Sequence, residues 1–254
     1  MARPLIKQEE LEGRELELLA IARRLFLERG LEGMTMDRLA SRTHFSKGTI
    51  YRLFSSREDV VAALWIQGAQ RRLELFERAA RFEGRSRERA LALAKANYLF
   101  YRLDPDYWRT EQISHVMSVG TKISPQRKAV HDGLVRRNAE LALQVIRQGV
   151  ADGDLVLPKG LGPEQVLIGL LGFTTGLYLY ASEGSPFAGW IRDPWNDHAL
   201  LFDCACDGMG WRPFSKDWDS GATVARIWNE IFPSEAAILH ERDAGPATGA
   251  ILSQ

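Results

Sequence analysis

Thr35-Met36-Asp37-Arg38-Leu39-Ala40-Ser41-Arg42-Thr43-His44-Phe45-Ser46-Lys47-Gly48-Thr49-Ile50-Tyr51-Arg52-Leu53-Phe54-Ser55-Ser56-Arg57 is the stretch that decides the reading of this chain. Two short amphipathic segments, 36–43 and 47–54, flank a three-residue turn, and the second carries a polar, basic, aromatic face. Five cations (Arg38, Arg42, Lys47, Arg52, Arg57) and no carboxylate fall between Arg38 and Arg57. Two short helices at a steep angle, the second one cationic, make a helix-turn-helix, whose second helix enters the major groove of DNA.

Each residue of the stretch has a physical role in that reading. Thr35 suits the N-cap of the first short helix, and Asp37 in its first turn is favoured by the helix dipole. Leu39 and the small Ala40 face inward, Phe45 plugs the turn, and Ser46 caps the second helix. Lys47, Gly48 and Thr49 form the exposed first turn, where base edges are read. A glycine inside a helix costs about 1 kcal/mol against alanine, so Gly48 points to close approach of another backbone. Ile50 and Phe54 pack inward at i and i+4, leaving Tyr51 and Arg52 outward, a hydroxyl and a guanidinium suited to phosphate oxygens. Arg52 also has the geometry to reach a guanine edge.

The rest of the chain reads as all-α. Four helix starts carry proline at the first helical position, at Asp104-Pro105, Ser124-Pro125, Gly162-Pro163 and Asp193-Pro194, where a missing N–H costs nothing. Apolar stripes recur at helical spacing, such as Leu18, Ile21, Ala22, Leu25 and Phe26, or Leu134, Leu141, Val145 and Ile146. No run alternates with the period of a strand. The spacing predicts helices over 9–29, 36–43, 47–54, 57–82, 86–103, 105–118, 125–151, 163–183, 194–209 and 219–238. The fourth opens on a capping box of Ser55 and Glu58. The expected organisation is a three-helix DNA-binding head over 1–56, a larger helical ligand-binding and dimerisation body over 57–240, and a disordered tail over 241–254.

Composition narrows the class. Formal net charge is zero, so no global cationic field draws the chain to nucleic acid. Residues 193–254 hold ten carboxylates against four cations, so the acidic end is expected to point away from the cationic face. Two cysteines fit a reducing cytosol, and the charged N-terminus is no signal peptide, so a cytoplasmic location is expected. Cys204 and Cys206, with His198 upstream, suggest a metal site, but residues i and i+2 of a helix point far apart; they are expected to be buried structural cysteines, with no metal and no cofactor. The apolar run 166–181, with Gly169, Gly172 and Gly176, is too short for a membrane span and suits tight helix–helix contact. Trp190, Trp195, Trp211, Trp218 and Trp228 point to an interface contribution. No P-loop, zinc-protease or nucleophile-elbow motif occurs, so an enzyme is not expected.

The spacing Phe26-x3-Gly30-x4-Thr35-x3-Leu39-Ala40-x5-Ser46-Lys47-Gly48-Thr49-Ile50-Tyr51-x2-Phe54-x2-Arg57-Glu58 closely resembles the TetR (tetracycline-repressor) family of bacterial transcription regulators, over roughly residues 14 to 65. Thr43 and His44 stand where small or apolar residues and glycine are more usual. The resemblance implies a homodimeric, ligand-responsive repressor of a near-palindromic DNA operator. It implies that Thr35 contacts phosphate, that Lys47, Gly48 and Thr49 lie in the major groove, that Tyr51 binds phosphate, and that Arg57 clamps phosphate from the next helix. Arg42, Ser46 and Arg52 complete the expected DNA-facing set. Helix 163–183, with 194–238, is expected to supply the dimer interface. A small, largely apolar effector is expected in the body, against Tyr98, Tyr101, Trp108, His115, Met117, Phe173 and Tyr178, which combine aromatic area with a few polar tips. The competing reading is a helical interaction protein whose head no longer binds DNA.

Overall fold

The computed structural model describes residues 8–116, 123–182, 184–191 and 194–244. Among the described residues, eleven α-helices run in the order α1 (Gln8–Gly33), α2 (Met36–Ser41), α3 (Lys47–Leu53), α4 (Arg57–Ala79), α5 (Ser86–Leu103), α6 (Pro105–Val116), α7 (Pro125–Ala151), α8 (Pro163–Ala181), α9 (Pro194–Gly208), α10 (Ser220–Glu230) and α11 (Pro233–Ala244). Among the described residues there is no strand, only an isolated antiparallel bridge between Leu155 and Trp211. The all-α expectation holds, and all four proline-marked starts begin helices.

Three local expectations need correction. The segment expected as one helix over 219–238 is two, because Pro233 has no N–H to donate and its ring clashes with the preceding turn; it opens α11 instead. The cap of α4 is one residue later than expected: Ser56 Oγ accepts from the Asp59 amide at 3.1 Å, and Asp59 rather than Glu58 reaches back, to the Ser55 amide at 3.2 Å. The turn after α2 takes five residues, 42–46, rather than three. In α1, Gly30 leaves the helix at φ 64°, a left-handed conformation that glycine adopts without strain. The expected tail begins in α11, which continues to Ala244; residues 245–254 lie outside the described residues.

The chain forms two compact units, divided inside α4, between α5 and α6, and inside α7. The first comprises Met1–Arg71 and Asp104–Arg136. It is larger than the expected head of 1–56, because Val60, Val61, Ala63 and Leu64 of α4 enter the same core as Leu18, Ala22, Leu25 and Phe26 of α1. Leu39, Ile50 and Phe54 bring α2 and α3 onto that core, and Ile113 of α6 packs against it. Arg23 lies 4.4 Å over the Tyr107 ring and binds α1 to α6. Asp59 is buried and ties the start of α4 to the start of α7: it accepts from the Ser124 amide at 3.2 Å and hydroxyl at 2.7 Å, with Arg127 Nε at 3.4 Å.

The second unit comprises Arg72–Leu103 and Arg137–Gln254. Its polar centre is Arg87 of α5, fully buried. That guanidinium donates to the Asp203 carboxylate at 3.0 Å, to the Trp211 carbonyl at 2.7 Å, and to Asp207 and the Pro213 carbonyl. Trp211, also buried, donates to Ser86 Oγ at 3.0 Å. Trp211 is therefore core rather than interface, whereas Trp190 is 77% exposed. Cys206 is buried, and burial pushes its thiol up to about 12; Cys204, expected to be buried too, is exposed. Three acids or thiols able to hold one metal do not cluster among the described residues. No helix among them is long and apolar enough to cross a membrane.

Candidate nucleic-acid interface

The head presents α3 through two caps and two anchors. Thr35 Oγ1 accepts from the Arg38 amide at 3.2 Å and starts α2. Ser46 Oγ accepts from the Thr49 amide at 3.2 Å and starts α3. Each cap satisfies one of the amides that a helix start leaves unpaired. Ile50 and Phe54, 1% and 0% exposed, fix α3 on the core. That rotation turns Lys47, Gly48, Tyr51 and Arg52 to solvent, with Thr49 half-buried. A side chain at Gly48 would meet only Ser46 Oγ, at 3.9 Å, so nothing in the head itself requires glycine there. The space kept open at Gly48 faces outward.

The expected DNA-facing residues Thr35, Arg42, Ser46, Lys47, Gly48, Thr49, Tyr51, Arg52 and Arg57 all belong to the first unit, as caps, turn or α3 and α4 residues of the head. Most of the cations among them are already engaged. Lys47 Nζ lies 2.7 Å from Asp37, whose hydrogen bond holds the ammonium above its ordinary range. Arg42 pairs with Glu28 at 3.1 Å. Arg57 pairs with Glu32 at 3.0 Å and Glu58 at 3.2 Å, and donates to the Leu31 carbonyl at 3.3 Å. Arg38 donates to the Gly33 carbonyl at 2.8 Å. Arg52 is exposed with no such partner among the described residues. The stretch from Arg38 to Arg57 has no carboxylate, yet Glu28, Glu32 and Asp37 come from just outside it and fold onto its cations. Sequence reading missed these partners.

The expected effector residues divide between the units. Trp108, His115 and Met117 belong to the first: Trp108 is buried, only the backbone of His115 is described, and Met117 lies outside the described residues. Tyr98, Tyr101, Phe173 and Tyr178 belong to the second. Tyr101 and Tyr178 stack at 4.6 Å with planes 2° apart, and Tyr98 meets Tyr178 edge-on at 6.2 Å. Phe173 is half-buried. Two further groups, neither of them expected among the effector residues, join the tyrosines. His198 Nε2 is 3.0 Å from the Tyr178 hydroxyl, and fully buried Lys95 lies 5.6 Å from the centre of the Tyr98 ring. Burial and the Lys95 charge hold His198 well below its usual range, so its ring is neutral. Burial pushes the Tyr98 hydroxyl up to about 12, against the pull of Arg102, which donates to it at 2.6 Å.

Comparison with known proteins addresses the head first. Residues 18–64 match the model of the bacterial regulatory proteins of the tetR family. An uncharacterized HTH-type transcriptional regulator of Mycobacterium tuberculosis is 42% identical over 55 residues, 22% of this chain and 27% of that protein. The HTH-type transcriptional repressor AcnR of Corynebacterium diphtheriae is 39% identical over 72 residues, 28% of this chain and 38% of that protein. The match thus spans well under half the length of these curated relatives. A solved structure of a TetR/AcrR-family transcriptional regulator from Thermobifida fusca extends the likeness to 75% of this chain and 97% of that one, with a TM-score of 0.55 and 26% identity. The head, residues 18–64, is thus similar to the tetR family of bacterial regulatory proteins, and the fold is similar to that of a solved TetR/AcrR-family regulator.

Proposed function

We propose that the chain is a cytoplasmic, ligand-responsive DNA-binding regulator that acts as a homodimer on a near-palindromic operator and represses transcription by excluding polymerase. The observation that supports this best is the outward face of α3. Its apolar residues Ile50 and Phe54 are spent on the core, while Lys47, Gly48, Tyr51 and Arg52 are left to solvent around a glycine that the head does not need. Lys47, Gly48 and Thr49 read base edges; Thr35, Tyr51 and Arg57 bind phosphate; Arg42, Ser46 and Arg52 flank them.

Dimerisation sets the second half of the reading. α8 exposes Ile168, Leu171 and Leu179, and α9, packed beside it, exposes Leu200 and Leu201. An apolar surface of that kind on two adjacent helices favours a self-complementary interface. The dimer carries two recognition helices about 34–36 Å apart, one DNA turn, into successive major grooves. An effector that favours a different spacing weakens DNA binding, and DNA weakens effector binding by the same factor. Tyr98, Tyr101, Phe173 and Tyr178 in the second unit are the candidate effector contacts that share one unit; Trp108, His115 and Met117 remain candidates in the first. The effector is a small molecule with a flat apolar part, suited to the Tyr101–Tyr178 stack.

The test is a gel shift on the DNA immediately upstream of the protein's own gene. Tyr51→Phe and Lys47→Ala should each weaken the shift, the first on every duplex and the second with a change in the preferred sequence. A shift unchanged by both substitutions would show that α3 is not the DNA-reading element.

A further inference from the structure

An open cleft of about 580 Å³ lies in the first unit between α1 and the turn that precedes α3. α1 lines it with Gly13, Arg14 and Glu17, and the turn and α3 line it with His44, Phe45, Ser46 and Thr49. The imidazole of His44 is 71% exposed, and its Nδ1 sits 3.2 Å from Glu17 Oε1. The Ser46 and Thr49 hydroxyls lie 3.0 Å apart. The cleft thus holds a guanidinium, an imidazole and two hydroxyls, with a single carboxylate that is itself engaged by the imidazole.

That donor set matches a phosphodiester, an anion met by charged N–H groups and hydroxyls. Small-molecule sites enclose most of their ligand, whereas this cleft stands open, as suits the edge of a large polyanion. Its mouth is shared with Ser46 and Thr49, so a duplex that meets α3 runs its backbone past it. Resting on the DNA-binding reading above, we infer that the cleft is a further seat for a DNA backbone phosphate, built where α1 meets the turn of the recognition motif. Arg14 and His44 are its cationic clamp, and Glu17 occupies His44 until DNA arrives. The carboxylate, 48% exposed, is free to turn away as the phosphate replaces it.

The charged groups that face His44 across the cleft are Glu17 and Arg14 of α1. With Glu17 removed, DNA meets less repulsion and no internal competitor for His44.

Ethylation interference and fluorescence anisotropy on a labelled duplex from the region upstream of the gene test the inference, with a random duplex as comparator. In the wild type, each half-site should show a phosphate whose ethylation blocks binding, and this effect should vanish in Arg14→Gln and His44→Gln. The salt slope of either variant should be shallower than that of the wild type. Glu17→Gln should bind more tightly than wild type at neutral pH, a gain that misfolding does not produce. A wild type whose phosphate outline and salt slope match those of Arg14→Gln and His44→Gln overturns the inference alone. A wild type that shifts no duplex overturns the DNA-binding reading itself.

Discussion

Asparagine at position 37 changes the recognition face by one charge and keeps its shape. In the wild type, Lys47 Nζ and Asp37 Oδ1 are 2.7 Å apart, and both side chains are well exposed, 65% and 72%. Asp37 therefore cancels the charge with which Lys47 would meet the duplex, and its own carboxylate would be repelled by the polyanion. An asparagine oxygen still accepts from Lys47, so the ammonium keeps its direction while its charge is uncovered. Each cation that neutralises a phosphate contributes about 0.9 to the slope of log affinity against log salt. Asp37→Asn should steepen that slope by about 0.9 on any sequence, so its advantage over wild type should shrink by about 3.5-fold between about 50 and 200 mM salt. Lys47→Ala alone should change the slope by less than this, because it removes a cation that was already compensated. The double variant should return close to wild type. The assay is anisotropy of a labelled random duplex across a salt series. An Asp37→Asn slope equal to or shallower than wild type would refute the idea that carboxylates set the strength of this face.

Three other outcomes follow from the packing. Gly172 has open space where a side chain would go, so Gly172→Leu should leave the fold intact yet weaken the dimer by about 100-fold or more, since a two-fold axis counts the clash twice; sedimentation at micromolar concentration reads it, and an unaltered dimer would move the interface off α8. Arg87→Met strands the buried Asp203 carboxylate and should cost about 3–5 kcal/mol in urea unfolding, with Asp203→Asn recovering part of the loss in the double variant; a loss under about 1 kcal/mol would contradict the pinning role. Burial pushes the Asp59 carboxyl up, but hydrogen bonds from Ser124 and Ser55 and the Arg127 charge outweigh it and hold the group below its usual range. Asp59 thus adds stability that is fully present above the unfolded value of about 3.9 and is lost as pH falls through the lower folded value. Asp59→Asn should melt below wild type near pH 7, and the gap should close as both are taken below about pH 4; a gap that is constant in acid would contradict it.

The parts of this structure set by local chemistry were legible in the sequence. Proline behind Asp104, Ser124, Gly162 and Asp193 marked helix starts, and the N-caps Thr35 and Ser46 and the inward pair Ile50 and Phe54 lie where spacing alone puts them. The miss at Pro233 is instructive, because the same rule applied there and the expected helix over 219–238 ran through it. Partners from outside a window were not legible. Nothing within the Arg38–Arg57 stretch shows that Glu28 and Glu32, on the far end of α1, reach Arg42 and Arg57. Nothing in the local sequence marks Arg87 and Lys95 as interior, yet both are fully buried, because α9 and the tyrosine cluster close over them. The candidate DNA face was thus legible in its residues but not in its charge state.

The paired cations of the head bear on how such a protein finds its site. A chromosome offers about 10⁶–10⁹ wrong positions, and a bare cationic face would spend nearly all its time on them. Here Lys47, Arg42 and Arg57 arrive with acids already attached, so a random stretch of duplex gains little by displacing them. Residence on each wrong stretch is short, sliding and hopping are quick, and more of the protein stays free in solution. On the proposed DNA-binding reading, displacing all three acids becomes favourable only where base edges and phosphates engage α3 together. The acids would then act as a brake on dwelling rather than on recognition, and fewer copies of the protein would suffice to keep one operator filled.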